Sequence, residues 1–96
     1  MKKIFISYGM NGKSPVEIRK KRNEIEDLLL FFEKDYEIID SYLEYGPDPV
    51  KCLAHSINLM ADADVIYFVG DWEKFRGCRA EHFIAAQYGL NVKYLM

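Results

Sequence analysis

The side chain best placed for chemistry is Glu81, which lies near the start of a predicted helix that follows an apolar strand. Gly77 opens this helix, and Glu81 lies about one turn inside it. A carboxylate near a helix N terminus is favoured electrostatically and stays ionised. An ionised carboxylate in a partly closed cleft can attack a sugar C1′ carbon as a nucleophile. The alternative is that Glu81 only favours the first helical turn and contacts water.

A second candidate group follows the first predicted strand, where Ser7, Tyr8, Gly9 and Met10 begin a segment of turn composition that ends at Gly12. The segment matches neither the GxGxxG pattern nor a P-loop. Its backbone N–H groups, with those of the helix that follows, are suited to binding a phosphate or a nucleoside hydroxyl. Turns after a first strand often have this composition, so the segment alone is a weak signal.

Several aromatic side chains near the predicted loops offer surfaces on which a planar base can stack. Packing inside the protein or at an interface is the more frequent role of any single aromatic residue, so both interpretations stay open. The candidates are Trp72, Tyr8, Tyr42 and Tyr45.

The cysteines and histidines do not predict a metal site. Cys52 and Cys78 fall in different predicted helices and form no CxxC pair, and His55 and His82 add only one ligand to each. A structural zinc site needs four ligands. We therefore expect no metal site, and two cysteines without a disulfide pattern indicate a reducing, cytoplasmic compartment.

Four apolar segments alternate with three helical ones, an order that predicts a parallel sheet with helices on both faces and right-handed crossovers. Such sheets bind ligands beyond the carboxyl ends of their strands, which is where the candidate residues lie. Ser14 and Pro15 predict the start of the first helix, Asp48 and Pro49 the start of the second, and Gly89 the end of the third. The strands are expected over Lys3–Ser7, Tyr36–Asp40, Asp64–Val69 and Val92–Leu95, a loop over Gly70–Gly77, and the third helix over Cys78–Tyr88.

Helical periodicity predicts which side chains face the core, and the cationic run Arg19–Arg22 is expected on a solvated face. Asp62 and Asp64 bracket the start of the third strand, at its amino end, which favours a structural role. His82 is expected to turn away from whatever Glu81 faces. The predicted apolar faces comprise Ile18, Ile25, Leu28, Leu29 and Phe32 in the first helix, and Val50, Leu53, Ala54, Ile57 and Met60 in the second.

Length and composition restrict the class of protein. The 96 residues carry a formal net charge of −2 and are 50% hydrophobic and 15% aromatic, which is typical of one folded domain spanning residues 1–96. Nucleic-acid and anionic-membrane binding rely on a basic surface, so neither is expected. The apolar runs are too short to span a bilayer.

Four segments together resemble the nucleoside 2-deoxyribosyltransferase superfamily, in particular its short bacterial and phage members. They are KIFISYGMNGK, the helix that starts at Asp48, ADADVIYF, and DWEKFRGCRAEHFIAAQYGL. The resemblance covers nearly the whole chain and is most specific in the last segment. It implies a flavodoxin-like α/β fold, a three-layer sandwich around a four-stranded parallel sheet of order 2-1-3-4.

The resemblance also implies a reaction and the residues that perform it. Glu81 matches a glutamate that attacks C1′ of a 2′-deoxyribonucleoside or its 5′-monophosphate, releasing the base, after which a second base or water resolves the glycosyl ester. Gly77 matches the glycine four residues earlier, and Ser7–Gly9 matches the substrate loop. The family further implies a homodimer or higher oligomer in which a neighbouring subunit helps to close each pocket.

Two positions depart from the family pattern. Better-known members carry an aspartate that helps to hold the deoxyribose where this chain has Ser56, and an Asp or Ser that contacts base or phosphate where it has Phe75. Serine still forms hydrogen bonds, whereas phenylalanine cannot bind phosphate; Asp71 is the candidate for the missing carboxylate. Because of these two changes, a non-catalytic module that binds or senses a nucleotide remains an alternative to an enzyme. The chain also has a more distant similarity to TIR domains, which implies a second alternative, an NAD glycohydrolase.

Overall fold

The computed structural model describes residues 1–9, 14–39 and 48–95, and a parallel four-stranded sheet forms the centre of this part. Numbered along the chain, the strands lie in the order 2-1-3-4, and Ile4 lies beside Val65 just as Ile66 lies beside Val92. The expected flavodoxin-like α/β class is therefore confirmed. The elements are β1 (Lys2–Ser7), α1 (Pro15–Phe32), β2 (Tyr36–Ile38), α2 (Pro49–Met60), β3 (Val65–Val69), a 3₁₀ turn (Trp72–Lys74), α3 (Arg76–Gln87) and β4 (Val92–Leu95).

The helices form one layer on each face of the sheet, because successive strand residues point to opposite faces. On the first face, α1 packs against β1 and β3, and the buried side chains are Ile4, Ile6, Ile25, Leu29, Val65, Tyr67 and Val69. On the second face, α2 and α3 pack against the same strands, and the buried side chains are Phe5, Met60, Ile66, Phe68 and Ala85. Residues 5 and 7 of β1 therefore face α2 and α3.

The helix ends confirm the capping signals in the sequence. The Ser14 hydroxyl accepts a hydrogen bond from the Glu17 N–H at 3.2 Å at the start of α1. The Asp48 carboxylate accepts one from the Lys51 N–H at 2.9 Å at the start of α2. Gly89 follows α3 with a φ of 66°, a left-handed conformation that glycine adopts without strain. These caps fix where each crossover enters and leaves the sheet.

The third helix starts earlier than predicted. It begins at Arg76 rather than Cys78, and a 3₁₀ turn occupies part of the expected loop. Phe75 is the N-cap residue and makes no side-chain capping bond, although its carbonyl accepts the Arg79 N–H at 2.9 Å. A helix start without a Ser, Thr, Asp or Asn cap gives no capping signal in the sequence. The second strand ends at Ile38 and does not include Ile39, contrary to the prediction, and Asp40 lies outside the described residues.

Three predictions about helix faces were wrong. Arg22 is only 1% exposed, because its spacing from Ile18, Ile25 and Leu29 places it on the buried side of α1. Leu28 and Phe32 are exposed, since the first lies beside that buried row and the second lies in the final turn. Val50 and Ala54 of α2 are also exposed whereas Met60 is buried, so α2 meets the sheet through its C-terminal half.

None of the helices within the described ranges has both the length and the apolar composition that crossing a bilayer requires.

Candidate functional site

The centre of the site is a hydrogen bond between β1 and α3. Ser7 is the last residue of β1 and points towards α3, and its hydroxyl donates to Glu81 Oε1 at 2.6 Å. Ser7 is 2% exposed and Glu81 is 7% exposed. An O···O distance of 2.6 Å is typical of a hydroxyl bound to an ionised carboxylate. The sheet thus brings two candidate residues, 74 positions apart in sequence, into contact at its carboxyl edge.

Burial and hydrogen bonding act on Glu81 in opposite directions. Burial raises the pKa of the Glu81 carboxyl, because removal from water disfavours the charged form. Hydrogen bonds from Ser7 and from Ser56 of α2 lower this pKa, and the positive charge of Arg22 lowers it further. Burial is the largest effect, so the pKa stays above its ordinary value. Glu81 therefore has a raised pKa, and it also has hydrogen-bond donors and a positive charge that stabilise its ionised form.

Residues of three other elements act on the Glu81 carboxylate of α3: Ser7 from β1, Arg22 from α1 and Ser56 from α2. Three of the four were candidates from the sequence. Arg22 was missed because the cationic run from Arg19 suggested a solvated helix face. Its position on the same helical row as Ile18, Ile25 and Leu29 was the signal that identifies it as buried.

Phe75 lies against Gly9, immediately beyond the end of β1. A Cβ atom added at Gly9 would overlap the Phe75 ring, so only glycine lets the ring approach this closely. Gly9 is buried and Phe75 is half-buried. Phe75, which stands where the superfamily that the sequence resembles carries Asp or Ser, therefore forms an apolar contact with the loop that follows Ser7.

Aromatic side chains of β3, the 3₁₀ turn, α3 and β4 pack against one another. The Trp72 ring is stacked on His82 at 4.3 Å between centroids, and it also contacts Phe68 at 5.1 Å. The His82 Nε2 and the Tyr94 hydroxyl are 2.7 Å apart, within hydrogen-bonding distance. Because His82 takes part in this stack while Glu81 binds Ser7, the two neighbouring side chains face different surroundings, as expected.

The remaining candidates lie in different parts of the fold. Tyr8 is half-buried and packs beside the core cluster on the α1 face. Asp71 is exposed, and its carboxylate lies 3.5 Å from the Lys74 amino group. Gly77 is the second residue of α3, and an added Cβ there would meet no atom within 4 Å. Met10 and Tyr42 lie outside the described residues.

The thiol, acidic and imidazole groups do not gather into a metal site within the described residues. Within the described residues neither Cys52, which is half-buried, nor Cys78, which is buried, forms a disulfide. No cluster of three or more His, Cys, Asp or Glu side chains suited to a metal ion occurs in that part of the chain. Asp64 accepts a hydrogen bond from the Lys3 N–H at 2.7 Å, at the amino end of the sheet, which is a structural role.

Comparison with known proteins places the fold. In a solved structure, the 2-desoxiribosyltransferase from Leishmania mexicana, the similar region covers 98% of this chain and 63% of that one, with a TM-score of 0.70 and 20% sequence identity. At this identity the similarity concerns the fold, and the present chain spans less than two thirds of its structural neighbour. No curated protein matches the sequence significantly. A family model described as "Domain of unknown function (DUF4406)" matches residues 2–94, and the chain therefore belongs to that family.

Proposed function

We propose that this protein cleaves or exchanges the N-glycosidic bond of a 2′-deoxyribonucleoside or its 5′-monophosphate, with Glu81 as the nucleophile. The observation that carries the proposal is the buried Ser7–Glu81 pair, 2.6 Å apart at the carboxyl edge of the sheet. Ligands of such sheets bind at this edge. The fold shared with a 2-desoxiribosyltransferase supports the same class of reaction.

The chemistry requires an ionised carboxylate oxygen facing the sugar. Glu81 attacks C1′, the C1′–N bond breaks, and its electron pair leaves with the base, which takes up a proton. The resulting C1′–O ester then breaks when a second base or a water molecule attacks C1′, and Glu81 leaves as a carboxylate. Attack by a base gives a transferase, and attack by water gives a hydrolase. Neither step requires a metal or an organic cofactor.

The pKa of Glu81 sets a pH requirement for this mechanism. Burial raises that pKa above its ordinary value, so Glu81 becomes a nucleophile only at a higher pH than an exposed glutamate does. The hydrogen bonds from Ser7 and Ser56 favour the ionised form and fix its orientation. We expect kcat/KM to rise with pH through the pKa of Glu81 in the free enzyme.

The surrounding residues are assigned to the substrate as follows. Ser7, Gly9 and Ser56 orient the sugar or a phosphate beside Glu81. Gly77, with no side chain and open space around its Cα, leaves room at the start of α3. The base packs against aromatic side chains, for which Tyr8, Tyr42 and Trp72 are the candidates; Met10 is a further candidate, and Asp71 is the candidate for a carboxylate from the loop after β3.

A second candidate function is nucleotide binding without catalysis, and the contact between Phe75 and Gly9 favours it. An apolar ring against the loop after β1 supplies neither a proton donor nor a phosphate ligand. A binding module tolerates the loss of such a group, whereas an enzyme that needs a polar group at this position would lose rate.

One incubation separates the candidates. The protein is mixed with each of the four deoxynucleosides, their 5′-monophosphates or NAD, with and without an acceptor base, and free and exchanged bases are measured by chromatography. Exchange identifies a transferase, free base without exchange a hydrolase, and base release from NAD alone a glycohydrolase. Saturable binding of one nucleotide without any product would refute the catalytic proposal and favour the binding module. Glu81→Gln is the matched inactive control.

We also propose that the protein forms a homodimer or a higher oligomer. Phe31 and Phe32 at the end of α1 are 71% and 67% exposed, and their rings pack edge to face at 5.4 Å. Exposed neighbouring aromatic side chains are typical of interaction surfaces. A monomeric mass by light scattering at tens of micromolar, a range in which roughly micromolar dimers assemble, would contradict this assembly.

A further inference from the structure

Three polar or charged side chains are buried within the described part of the chain: Ser7, Glu81 and Arg22. Ser7 and Glu81 form the hydrogen-bonded pair described above. Arg22 is 1% exposed and has no assigned role in the proposed mechanism. An arginine stays protonated in proteins, so its charge cannot be removed by a change of pKa when it is buried. A nearby negative charge must therefore offset its loss of hydration.

The fold directs Arg22 towards the site. The first helix begins just beyond the carboxyl end of β1 and runs back along the sheet, with Ile18, Arg22 and Ile25 on its buried side. Helical side chains lean towards the helix N terminus. The long Arg22 side chain is thus aimed from the core towards the carboxyl edge of the sheet, which is the edge where Ser7 holds Glu81.

We propose that Arg22 is a positioning residue of the candidate site, whose fixed positive charge holds Glu81 as an oriented carboxylate within the core. A role of Arg22 in catalysis rests on the proposed function, whereas the effect of the Arg22 charge on Glu81 exists without a substrate. The charge of Arg22 lowers the pKa of Glu81 and so opposes the effect of burial.

The other charged groups around Glu81 differ from Arg22 in exposure. The 3₁₀ turn that packs against α3 carries Glu73 and Lys74, both exposed, and α2 carries Lys51 and His55, also exposed. Ser7 and Ser56 contribute hydroxyl groups. On α1, Glu26 lies one turn beyond Arg22 and is half-buried. Screening by water weakens the exposed charges, which leaves Arg22 as the fully buried cation among the described residues.

The direct test is a titration of the Glu81 carboxyl carbon by NMR, with the Glu81→Gln spectrum as the assignment control. The proteins compared are the wild type, Arg22→Gln, Arg22→Lys and Lys20→Gln, the last removing an exposed cation from the same helix. The midpoint for Glu81 is expected to move to higher pH in Arg22→Gln, to stay in Lys20→Gln, and to return towards the wild-type value in Arg22→Lys. Equal midpoints in Arg22→Gln and Lys20→Gln would overturn the proposal.

A second measurement applies if Arg22→Gln does not fold well. We expect Arg22→Gln to raise the unfolding equilibrium constant by about tenfold more when Glu81 is present than in the Glu81→Gln background. Equal increases in the two backgrounds would show that Arg22 serves packing alone and would overturn the proposal. Failure of the wild type to release or exchange any base would refute the proposed function and leave both of these results unaffected.

Discussion

Replacing Ser7 by alanine tests whether Glu81 is held as an ionised carboxylate. The substitution removes the hydroxyl that donates to Glu81 Oε1 at 2.6 Å and leaves the strand backbone unchanged. The Ser7 hydrogen bond lowers the pKa of Glu81, so it stabilises the ionised form more than the protonated form. The stabilisation from this bond is therefore largest above the pKa of Glu81 and decreases as pH falls through it.

The expected magnitude follows from the kind of hydrogen bond. A bond to a charged group contributes about 1.5–3 kcal/mol to the free energy of unfolding, and a neutral one about 0.5–1.5 kcal/mol. We expect Ser7→Ala to cost about 2 kcal/mol at about pH 8 and about 1 kcal/mol once Glu81 is protonated. The test depends on the difference of about 1 kcal/mol between the costs of Ser7→Ala at high and low pH, which is a roughly fivefold change in the unfolding equilibrium constant.

The assay is urea unfolding of the wild type and Ser7→Ala from about pH 8, where exposed carboxyls are ionised, down to the most acidic pH at which both remain folded. Ser14→Ala is the matched control, because the Ser14 hydroxyl accepts from a backbone N–H at the exposed start of α1. Its cost of about 1 kcal/mol does not depend on the charge of Glu81. A Ser7→Ala cost that stays constant over the same pH range would refute an ionised, Ser7-bound Glu81.

Two further substitutions probe the neighbouring contacts. Glu81→Gln is expected to abolish base release and to remove the part of the pH dependence of stability that Glu81 causes, because a carboxyl with a raised folded-state pKa loses stability as pH rises from its ordinary value through the folded one; the same pH dependence of stability in Glu81→Gln and in the wild type would contradict this. Gly9→Val is expected to lower the thermal unfolding midpoint, because the valine Cβ would overlap the Phe75 ring. Adding Phe75→Ala to this variant should restore part of the loss. A Gly9→Val midpoint equal to that of the wild type would contradict the contact between Gly9 and Phe75.

The sheet and its helix starts were predictable because each depends on a local pattern. The order of apolar and helical segments predicts parallel strands, and the crossovers are then right-handed. Ser14 and Asp48 precede prolines, and side-chain capping at those positions needs only the neighbouring backbone. The start of α3 depends instead on Phe75, a residue without a capping side chain, and was predicted two residues late.

The composition of the site was less predictable, because it depends on contacts between distant segments. The position of Glu81 near a helix start at the carboxyl edge follows from the order of elements, and Ser7 follows as the end of β1. The burial of Arg22 is a property of tertiary packing, since an arginine in a row of apolar residues can equally extend to solvent. The approach of Phe75 to Gly9 requires the loop after β3 to lie over the end of β1, which no local pattern in either segment specifies.

The buried charges themselves favour a functional interpretation of this edge. A core that served stability alone would gain little from Arg22 and Glu81, because apolar side chains of similar volume are often as stabilising as a buried ion pair. The carboxylate is held in a site whose burial raises its pKa, and three other elements supply the groups that keep it charged. Strained or desolvated polar groups of this kind persist mainly where activity or binding requires them. Ser7, Arg22 and Glu81 are therefore the residues at which a substitution is expected to lower activity more than it lowers stability.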